Sequence, residues 1–307
     1  LGELQRLARR MASAIDGGGY DVVFAHTCQY TLLPAILGFL VTPSVYYLHE
    51  PFGPTFNREV ERPYLETGWL GELSRCVDPF IASYSRRLEK LRIRSIRRVT
   101  QLLANSGFTR EQVALAYGAE APVCRLGVDA QVFRPGEGVD KGDFVLSVGE
   151  LAPRKGFDFL IESLGHIPPE RRPKLKLACN SEVPGERSYL MSLADRLGVG
   201  LEVMDRLDTR ELKLQYNLAR FCVYAPIQEP LGLVPLECMA CGTPVVGVAE
   251  GGVQETVVHG ETGLLTDRDP SRFAKAVSEL LGDAALVDEL GRRGPDYVKR
   301  RWSWDAS

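Results

Sequence analysis

Short apolar runs alternate with longer segments of helical periodicity along this chain. The runs are continuous rather than alternating, which is typical of parallel strands that are covered on both faces. We expect strands at Asp21–His26, Ser44–His49, Gln101–Ser106, Phe144–Gly149, Lys174–Asn180, Leu201–Met204, Phe221–Pro226 and Thr243–Ala249. Helical periodicity falls between most of them, at Phe157–Gly165, Tyr189–Gly198, Arg210–Arg220 and Pro270–Leu281. This order predicts βαβ units and an α/β fold with open, doubly wound parallel sheets.

The length of 307 residues predicts two domains. The best boundary is Arg134–Asp143, RPGEGVDKGD, which is rich in Gly, Pro and charge and has no periodicity. We therefore expect an N-terminal domain at residues 1–137 and a second domain at residues 138–296. The last residues, 297–307, carry two tryptophans and are expected to pack back on the first domain.

Net charge, the length of the apolar runs and the number of cysteines indicate which partners and which compartment to expect. A net charge of −3 argues against nucleic acid as a partner. The longest apolar stretch, Leu32–Val41, is half of the ~20 residues that a membrane-spanning helix needs. Seven cysteines, an odd number, do not indicate a disulfide framework and favour the reducing cytoplasm. The first residues read as the middle of a helix, so we expect a piece of a longer protein.

The segment Glu229–Pro244, EPLGLVPLECMACGTP, carries the most specific chemistry. A glycine, Gly232, precedes a helix with Pro235 in its first turn, where the amide groups have no internal partner. Those amides and the positive helix end suit a diphosphate. Glu229 and Glu237 can accept hydrogen bonds from sugar hydroxyls near that site; the alternative is that both are surface residues.

In this setting the Glu-x7-Glu spacing resembles the signature of the retaining glycosyltransferase family 4, the group 1 glycosyltransferases of GT-B fold. The resemblance extends over most of the chain, through YYLHEP, CRLGVDAQVFRP, LSVGELAPRKGFDFLIESL and GGVQETVVHGETGLLTD. It implies two Rossmann-like domains that face a cleft, and a nucleotide-diphosphate sugar as the donor. No cofactor is expected besides this substrate.

Individual roles follow from the same resemblance. Glu229 matches the glutamate that meets the donor sugar, and Glu237 matches the one that binds the ribose. Lys155 matches the diphosphate-binding lysine, and His49 matches an active-site histidine. The backbone at Gly232, Leu233 and Val234 would then contact the sugar and the phosphate.

One position departs from the family pattern. Many members have an arginine after the VG dipeptide, where this chain has Glu150, which would repel a diphosphate. Arg154, next to Lys155, is expected to supply the missing positive charge. Negative charge develops on the diphosphate as the anomeric bond breaks, and these cations would stabilise it. The departing phosphate would act as the base, while His49 would orient the sugar or acceptor; a structural histidine at a strand end is the alternative.

Three weaker patterns favour structural roles. Cys238 and Cys241 lack the second pair that a zinc site needs, and are interpreted as small core residues. Asp267-Arg268-Asp269 has the Asp-x-Asp form of a metal motif, but Pro270 follows it, which predicts that Asp269 caps a helix. No protein-bound metal is expected. Gly17–Gly19 precede a strand instead of following one and are interpreted as a turn.

The segment Ser85–Thr100 predicts an amphipathic helix with seven Arg or Lys against one Glu. It is a candidate for peripheral contact with the inner face of a membrane, although a solvated face on a buried helix is the commoner explanation. An aromatic-rich loop precedes it and is a candidate for acceptor contact or a satellite hydrophobic cluster: Phe52, Phe56, Tyr64 and Trp69.

The favoured function is transfer of a hexosyl group from a nucleotide sugar to an unidentified acceptor hydroxyl, which a glycan, a lipid or a small molecule would supply. The catalytic candidates are His49, Lys155 and Glu229, and the donor-binding candidates add Arg154, Gly232, Leu233, Val234 and Glu237. An epimerase or phosphorylase of the same fold is one alternative. A non-catalytic remnant that binds nucleotide sugar is another.

Overall fold

The computed structural model describes residues 2–28, 33–50, 60–65 and 79–306, and among these the chain forms two compact units. Unit 1 comprises Leu1–Glu59 and Leu65–Arg125, and unit 2 comprises Val60–Tyr64 and Leu126–Ser307. The division therefore falls at Arg125, before the expected boundary at residue 137. The linker Arg134–Asp143 is irregular, as predicted, but it is bonded to unit 2, since Asn217 accepts from the Gly136 amide at 2.5 Å.

Unit 1 is built on three parallel strands in the order β1-β2-β3. The strands are β1 (Val23–Ala25), β2 (Ser44–Leu48) and β3 (Gln101–Ala104), and the helices are α1 (Gly2–Asp16), α2 (Pro79–Arg98) and α3 (Gly107–Tyr117). Buried apolar side chains of the strands and of the 3₁₀ turn Ala35–Gly38 form its core. The strands lie within the runs that the apolar pattern predicts.

Unit 2 has a parallel sheet of six strands in the order β6-β5-β4-β7-β8-β9. The strands are β4 (Phe144–Val148), β5 (Lys174–Cys179), β6 (Leu201–Asp205), β7 (Phe221–Tyr224), β8 (Val245–Val248) and β9 (Gly263–Thr266). The helices are α4 (Phe157–Gly165), α5 (Glu186–Leu197), α6 (Thr209–Leu218), α7 (Leu233–Ala240), α8 (Val253–Thr256), α9 (Pro270–Gly282) and α10 (Ala284–Arg301). Unit 2 contains two clusters of buried apolar side chains, and residues of its strands belong to both. The predicted α/β class with two parallel-sheet domains is confirmed.

Two details of unit 2 concern strand β9 and the C-terminal residues. Strand β9 was not predicted, because its four residues lie inside a polar stretch with turn residues on both sides. The C-terminal residues contact Gly127 and Val128, which precede the expected boundary at residue 137 and belong to unit 2 by contact. Trp302 is buried in the core of unit 2, and its carbonyl accepts a hydrogen bond from the Val128 amide at 2.6 Å. An indole this large gains most where a deep apolar core is available.

Candidate functional site

The strand order of unit 2 creates a topological switch point between β4 and β7. Counted from β4, the order of the six strands is third, second, first, fourth, fifth and sixth, which is the Rossmann order. In sheets of this order the chain crosses over in opposite directions from the switch point, which leaves a crevice beyond the carboxyl ends of the two central strands. Ligands of open α/β sheets bind there. The loop after β4 lies within LSVGELAPRKGFDFLIESL, and the loop after β7 leads into EPLGLVPLECMACGTP.

Lys155 ends the loop after β4, in a 3₁₀ turn at Pro153–Lys155. The next residue, Gly156, has φ +66°, and a Cβ atom there would collide with the carbonyl oxygen of Ala225 at the end of β7. The Arg154 carbonyl also accepts from the Ile227 amide at 2.8 Å. The lysine turn is therefore held directly against the loop after β7, an approach that requires glycine.

Glu229 and Lys155 form an ion pair in this crevice. Lys155 Nζ lies 2.9 Å from Glu229 Oε2, with about a quarter or less of each side chain exposed. The Glu229 carbonyl accepts from the Gly252 amide at 2.7 Å, so the loop is fixed from its other side as well. The two groups can separate, so that the carboxylate accepts a hydrogen bond from a sugar hydroxyl and the ammonium group binds a phosphate.

Helix α7 begins immediately beyond this pair. Gly232 is its N-cap residue, with φ +90°, a conformation that favours glycine. Leu233 and Val234 occupy the first turn, where main-chain N–H groups have no partner within the helix. These amides lie three to five residues after Glu229, which supplies an anion site next to a carboxylate.

Glu237 lies in the second turn of α7 and is held by a tyrosine. Tyr216 of α6 donates its hydroxyl hydrogen to Glu237 Oε2 at 2.8 Å. Burial raises the pKa of Glu237 to about 7, and the Tyr216 hydrogen bond works in the opposite direction. A second buried tyrosine, Tyr224 at the end of β7, hydrogen-bonds Glu229, and burial raises its pKa well above the ordinary value.

Sequence analysis missed both tyrosines. A signal was available for Tyr224, because a tyrosine inside an apolar run must find a partner for its hydroxyl group once it is buried. Tyr216 lies among polar residues of a helix, and its neighbours in sequence give no such signal.

Sequence analysis also missed Arg268, whose guanidinium donates to the carbonyls of Ala225 at 3.0 Å and Pro226 at 2.8 Å. The same guanidinium pairs with Glu250 at 2.8 Å. Arg268 thus stabilises the loop that leads to Glu229.

Glu150 lies two residues after the last residue of β4. Its carboxylate accepts a hydrogen bond from Ser181 Oγ at 3.1 Å, beyond the carboxyl end of β5. Arg154 keeps its guanidinium unbonded within the described part of the chain, so it is available to an anion. A small pocket adjoins Glu150, and residues at the ends of β4 and β5 and near α6 line it: Val148, Gly149, Ala178, Asn180, Ser181, Leu207 and Leu212.

The Asp-x-Asp pattern and the three consecutive glycines have structural roles in the fold. Asp269 caps α9, as predicted, by accepting from the Arg272 amide at 2.8 Å. Within residues 2–28, 33–50, 60–65 and 79–306, no group of acidic, histidine or cysteine side chains is arranged to hold a metal ion. Gly17–Gly19 form a turn, as predicted.

The cysteine interpretation needs a correction. Cys241 is a buried thiol, as expected, but Cys238 is joined to Cys222 of β7 by a disulfide. The packing of α7 on the sheet brings the two Cα atoms to 6.8 Å, at the upper end of the range for a disulfide. Spacing along the chain pointed to Cys241 as the neighbour of Cys238, whereas the fold supplied Cys222.

His49 belongs to unit 1 and follows the last residue of β2. Its ring is half-buried and contacts that of His26, which follows β1, with His26 Nδ1 and His49 Nε2 3.3 Å apart. Of the aromatic loop proposed for acceptor contact, Phe52, Phe56 and Trp69 lie outside the described residues. Tyr64 is described and belongs to unit 2.

The basic segment Ser85–Thr100 forms most of α2, which is longer than predicted. Leu91 and Ile96 of its apolar stripe are buried in unit 1. Arg94 bonds the Gly38 carbonyl at 3.0 Å and lies over the Phe39 ring, so part of the charge has an internal role. Other basic residues are exposed: Arg86, Arg87, Lys90 and Arg97. Across the described ranges, no helix combines the length and apolar character that crossing a membrane requires.

Comparison with known proteins agrees with this geometry. The family model for glycosyl transferases group 1 matches residues 129–297, and the model for glycosyltransferase family 4 matches residues 2–132. The D-inositol 3-phosphate glycosyltransferase of Acidothermus cellulolyticus is 34% identical over 227 residues, or 67% of this chain and 50% of the relative. A GDP-mannose-dependent alpha-(1-6)-phosphatidylinositol monomannoside mannosyltransferase of Mycobacterium tuberculosis is 34% identical over 65% of this chain and 57% of the relative.

Among solved structures, Anabaena HepE in complex with UDP has a TM-score of 0.76 at 20% identity and covers 99% of this chain and 80% of that one. This likeness confirms the fold class. The chain spans about half the length of the curated relatives that head the comparison.

Proposed function

Because the chain belongs to the group 1 glycosyltransferases, we propose that it transfers a hexosyl group from a nucleotide-diphosphate sugar to an acceptor hydroxyl, with retention of anomeric configuration. The observation that carries the proposal is the Lys155–Glu229 pair, placed at the switch point of unit 2 beside the N-terminus of α7. A diphosphate needs the cation and the helix amides, and a sugar needs the carboxylate. The three features occur together at the place where this fold binds ligands.

The proposed roles follow the geometry of unit 2. Lys155, Arg154 and the backbone at Gly232, Leu233 and Val234 bind the diphosphate and stabilise the charge that develops as the anomeric bond breaks. Glu229 binds the hexosyl group, and Glu237 binds the ribose. His49, in unit 1, takes the role of the family's active-site histidine and orients the sugar or the acceptor without forming a covalent bond.

Nucleotide choice is open between two donor classes that the comparisons suggest. The mannosyltransferase relatives are GDP-mannose-dependent, and HepE binds UDP and UDP-glucose. A thermal-shift panel of GDP, UDP, GDP-mannose and UDP-glucose distinguishes them. A ligand present at 100 times its Kd adds about 2.7 kcal/mol to the free energy of unfolding.

The two glutamates provide the decisive experiment. Glu237→Gln should weaken the bare nucleoside diphosphate as much as the full donor, because the ribose is common to both. Glu229→Gln should spare the bare nucleotide and reduce turnover of the donor. Each lost hydrogen bond to a charged group costs ~1.5–3 kcal/mol, or about 10- to 150-fold.

The measurements are calorimetric affinity for the nucleoside diphosphate and donor turnover in both variants. If the two effects are exchanged, the assignment is reversed. If neither variant changes turnover, both carboxylates are surface residues and the proposal fails. The alternatives give other signatures: an epimerase interconverts the free donor, a phosphorylase requires phosphate, and a remnant binds the donor without turnover.

We also propose that transfer needs no divalent metal, since Asp269 is engaged as a helix cap. Full activity in excess EDTA is expected, and a loss that magnesium or manganese restores would contradict it. Peripheral membrane contact through the exposed arginines of α2 remains a proposal, which sedimentation with anionic vesicles tests. The cytoplasmic location stays a prediction, and the Cys222–Cys238 disulfide counts against it.

A further inference from the structure

The carboxyl ends of two adjacent strands in unit 1 bring two histidines together. Strands β1 and β2 are parallel neighbours, with Ala25 opposite Tyr46, and each is followed directly by a histidine. The ring planes of His26 and His49 are nearly parallel, at an interplanar angle of 19°, and their centroids lie 5.6 Å apart. His26 Nδ1 lies 3.3 Å from His49 Nε2, close enough for a hydrogen bond.

The surroundings hold His49 more firmly than His26. The Tyr47 ring meets the His49 ring edge-on at 4.8 Å, and Asn105 donates to the His49 carbonyl at 2.8 Å. Asn105 is itself buried at the end of β3, which fixes the backbone at His49. His26 is exposed, so substituting it disturbs little of the core.

The hydrogen bond between the rings couples their proton positions. In a neutral pair, one of the two facing nitrogens carries the hydrogen and the other accepts it. If His26 Nδ1 donates, His49 carries its hydrogen on Nδ1 and His26 Nε2 is an acceptor. If His49 Nε2 donates, His49 Nδ1 is the acceptor and His26 Nε2 carries the hydrogen. In either case the pair presents one donor and one acceptor outward, as a ligand with hydroxyl groups requires.

We propose that His26 and His49 form an imidazole dyad in which His26 is a positioning residue that fixes the ring orientation and tautomer of His49 toward a ligand hydroxyl group. The inference rests on the proposed role of His49 in transfer and adds a residue that the Glu-x7-Glu pattern does not identify. When both rings are protonated, both facing nitrogens are donors and the ring–ring hydrogen bond is lost.

The electrostatics of the pair agree with this geometry. Burial lowers the pKa of His49, and the neighbouring His26 lowers it further, while Glu50 acts in the opposite direction. Tyr47, which also faces the ring, has its pKa raised to about 12 by burial and therefore carries no charge near neutral pH. Burial and the neighbouring His26 thus favour the neutral form of His49, which donates at one ring nitrogen and accepts at the other.

Proton NMR titration tests the dyad without any ligand. The chain has four histidines, and single substitutions assign their ring signals. We expect His26→Phe, which keeps an aromatic ring but has no nitrogen, to raise the pKa of His49 toward its ordinary value. His166→Phe is the matched control and should leave the His49 titration unchanged. If the His49 titration is the same in His26→Phe and in the unsubstituted protein, the dyad does not exist.

Measurements of turnover test whether the dyad contributes to catalysis. His26→Phe should lower kcat/KM about 2- to 10-fold, the effect of one lost hydrogen bond, and move the acid limb of the pH profile to higher pH. His26→Asn retains a polar group near the Nδ1 position and should recover most of the rate. The assay measures hydrolysis or transfer of GDP-mannose or UDP-glucose, whichever the protein turns over.

The two hypotheses fail differently. If His49→Ala abolishes turnover while His26→Phe leaves rate and pH profile unchanged, the dyad is wrong and the proposed function stands. If His49→Ala also has no effect on turnover, the role of His49 in the proposed function is wrong and the dyad has no catalytic use. Loss of turnover in His26→Phe that His26→Asn does not recover would assign the effect to structure, and would overturn the positioning role.

Discussion

At the scale of single residues, the protonation of Glu237 sets a pH dependence of stability. Its pKa is raised from 4.5 to about 7 by burial, so the folded protein holds this proton more tightly than the unfolded chain does. The free energy of unfolding should therefore fall as the pH rises from about 5 through 7, relative to Glu237→Gln. Urea unfolding of both proteins across this range measures the difference.

Tyr216 supplies the control for that prediction. Its hydrogen bond to Glu237 lowers the pKa of the carboxyl group. Tyr216→Phe should thus raise the pKa further and extend the falling range to higher pH. A difference between the unsubstituted protein and Glu237→Gln that does not vary with pH would show that Glu237 is ionised throughout.

Glu150 gives a second prediction at the residue scale. Glu150→Arg should tighten nucleoside diphosphate binding about tenfold or more, because an attractive charge replaces a repulsive one near Lys155. Glu150→Gln keeps a partner for Ser181 and removes only the charge, so its affinity should be intermediate. Calorimetry with GDP and UDP measures all three proteins; an Arg variant that binds equally or more weakly would mean that the carboxylate points away from the phosphates.

At the scale of elements, Gly156 joins the lysine turn to β7. Gly156→Ala should lower both stability and nucleoside diphosphate affinity, since the new methyl group meets the Ala225 carbonyl and must displace Lys155. Gly118→Ala is the matched control: its φ is +60°, similar to the +66° of Gly156, but a Cβ there meets nothing within 4 Å. The control should lose only the ~1–2 kcal/mol of a left-handed residue and keep its affinity.

Thermal unfolding measures the loss of stability in both glycine variants, and calorimetry measures their loss of affinity for a nucleoside diphosphate. Equal losses of stability, with affinity unchanged in both, would mean that the close approach of the lysine turn to β7 has no part in ligand binding.

At the scale of the whole molecule, residues Val60–Tyr64 lie between two elements of unit 1 in sequence but belong to unit 2 by contact. Arg62 is buried there, with Nη1 2.9 Å from Asp158 and Nε 3.1 Å from Glu186. Arg62 also donates to the Pro153 carbonyl at 3.3 Å, and Tyr64 bonds Glu186. This segment therefore packs against the turn that carries Lys155.

Arg62→Met should cost ~3–5 kcal/mol of stability, because it leaves the fully buried Glu186 without its cation. Arg187→Met is the matched control, since Arg187 pairs with Glu182 and Asp205 at the surface and the variant should lose ~1 kcal/mol or less. Chemical denaturation measures both. The double variant Arg62→Met, Glu186→Gln should recover part of the loss; no recovery would mean that packing rather than charge stabilises the segment.

The sequence by itself determined the elements and their class. Continuous apolar runs predicted strands covered on both faces, because only such strands bury every side chain, and eight of the nine described strands fall on those runs. Local chemistry was equally reliable where a contact spans a few residues, as at Asp269, whose carboxylate reaches an amide three positions later. Local motifs also predicted where Lys155 and Glu229 lie along the chain and where α7 begins.

Only the tertiary structure decided which distant residues meet. Tyr216 reaches Glu237 across 21 positions, His26 reaches His49 across 23, and Arg62 reaches Glu186 across 124. Cys238 pairs with Cys222 instead of remaining a thiol, and Trp302 packs in the core of unit 2 together with Val128. Periodicity reports which face of an element is buried, whereas the partner on that face depends on strand order and helix placement. Those are set by the packing of the whole core, to which every element contributes.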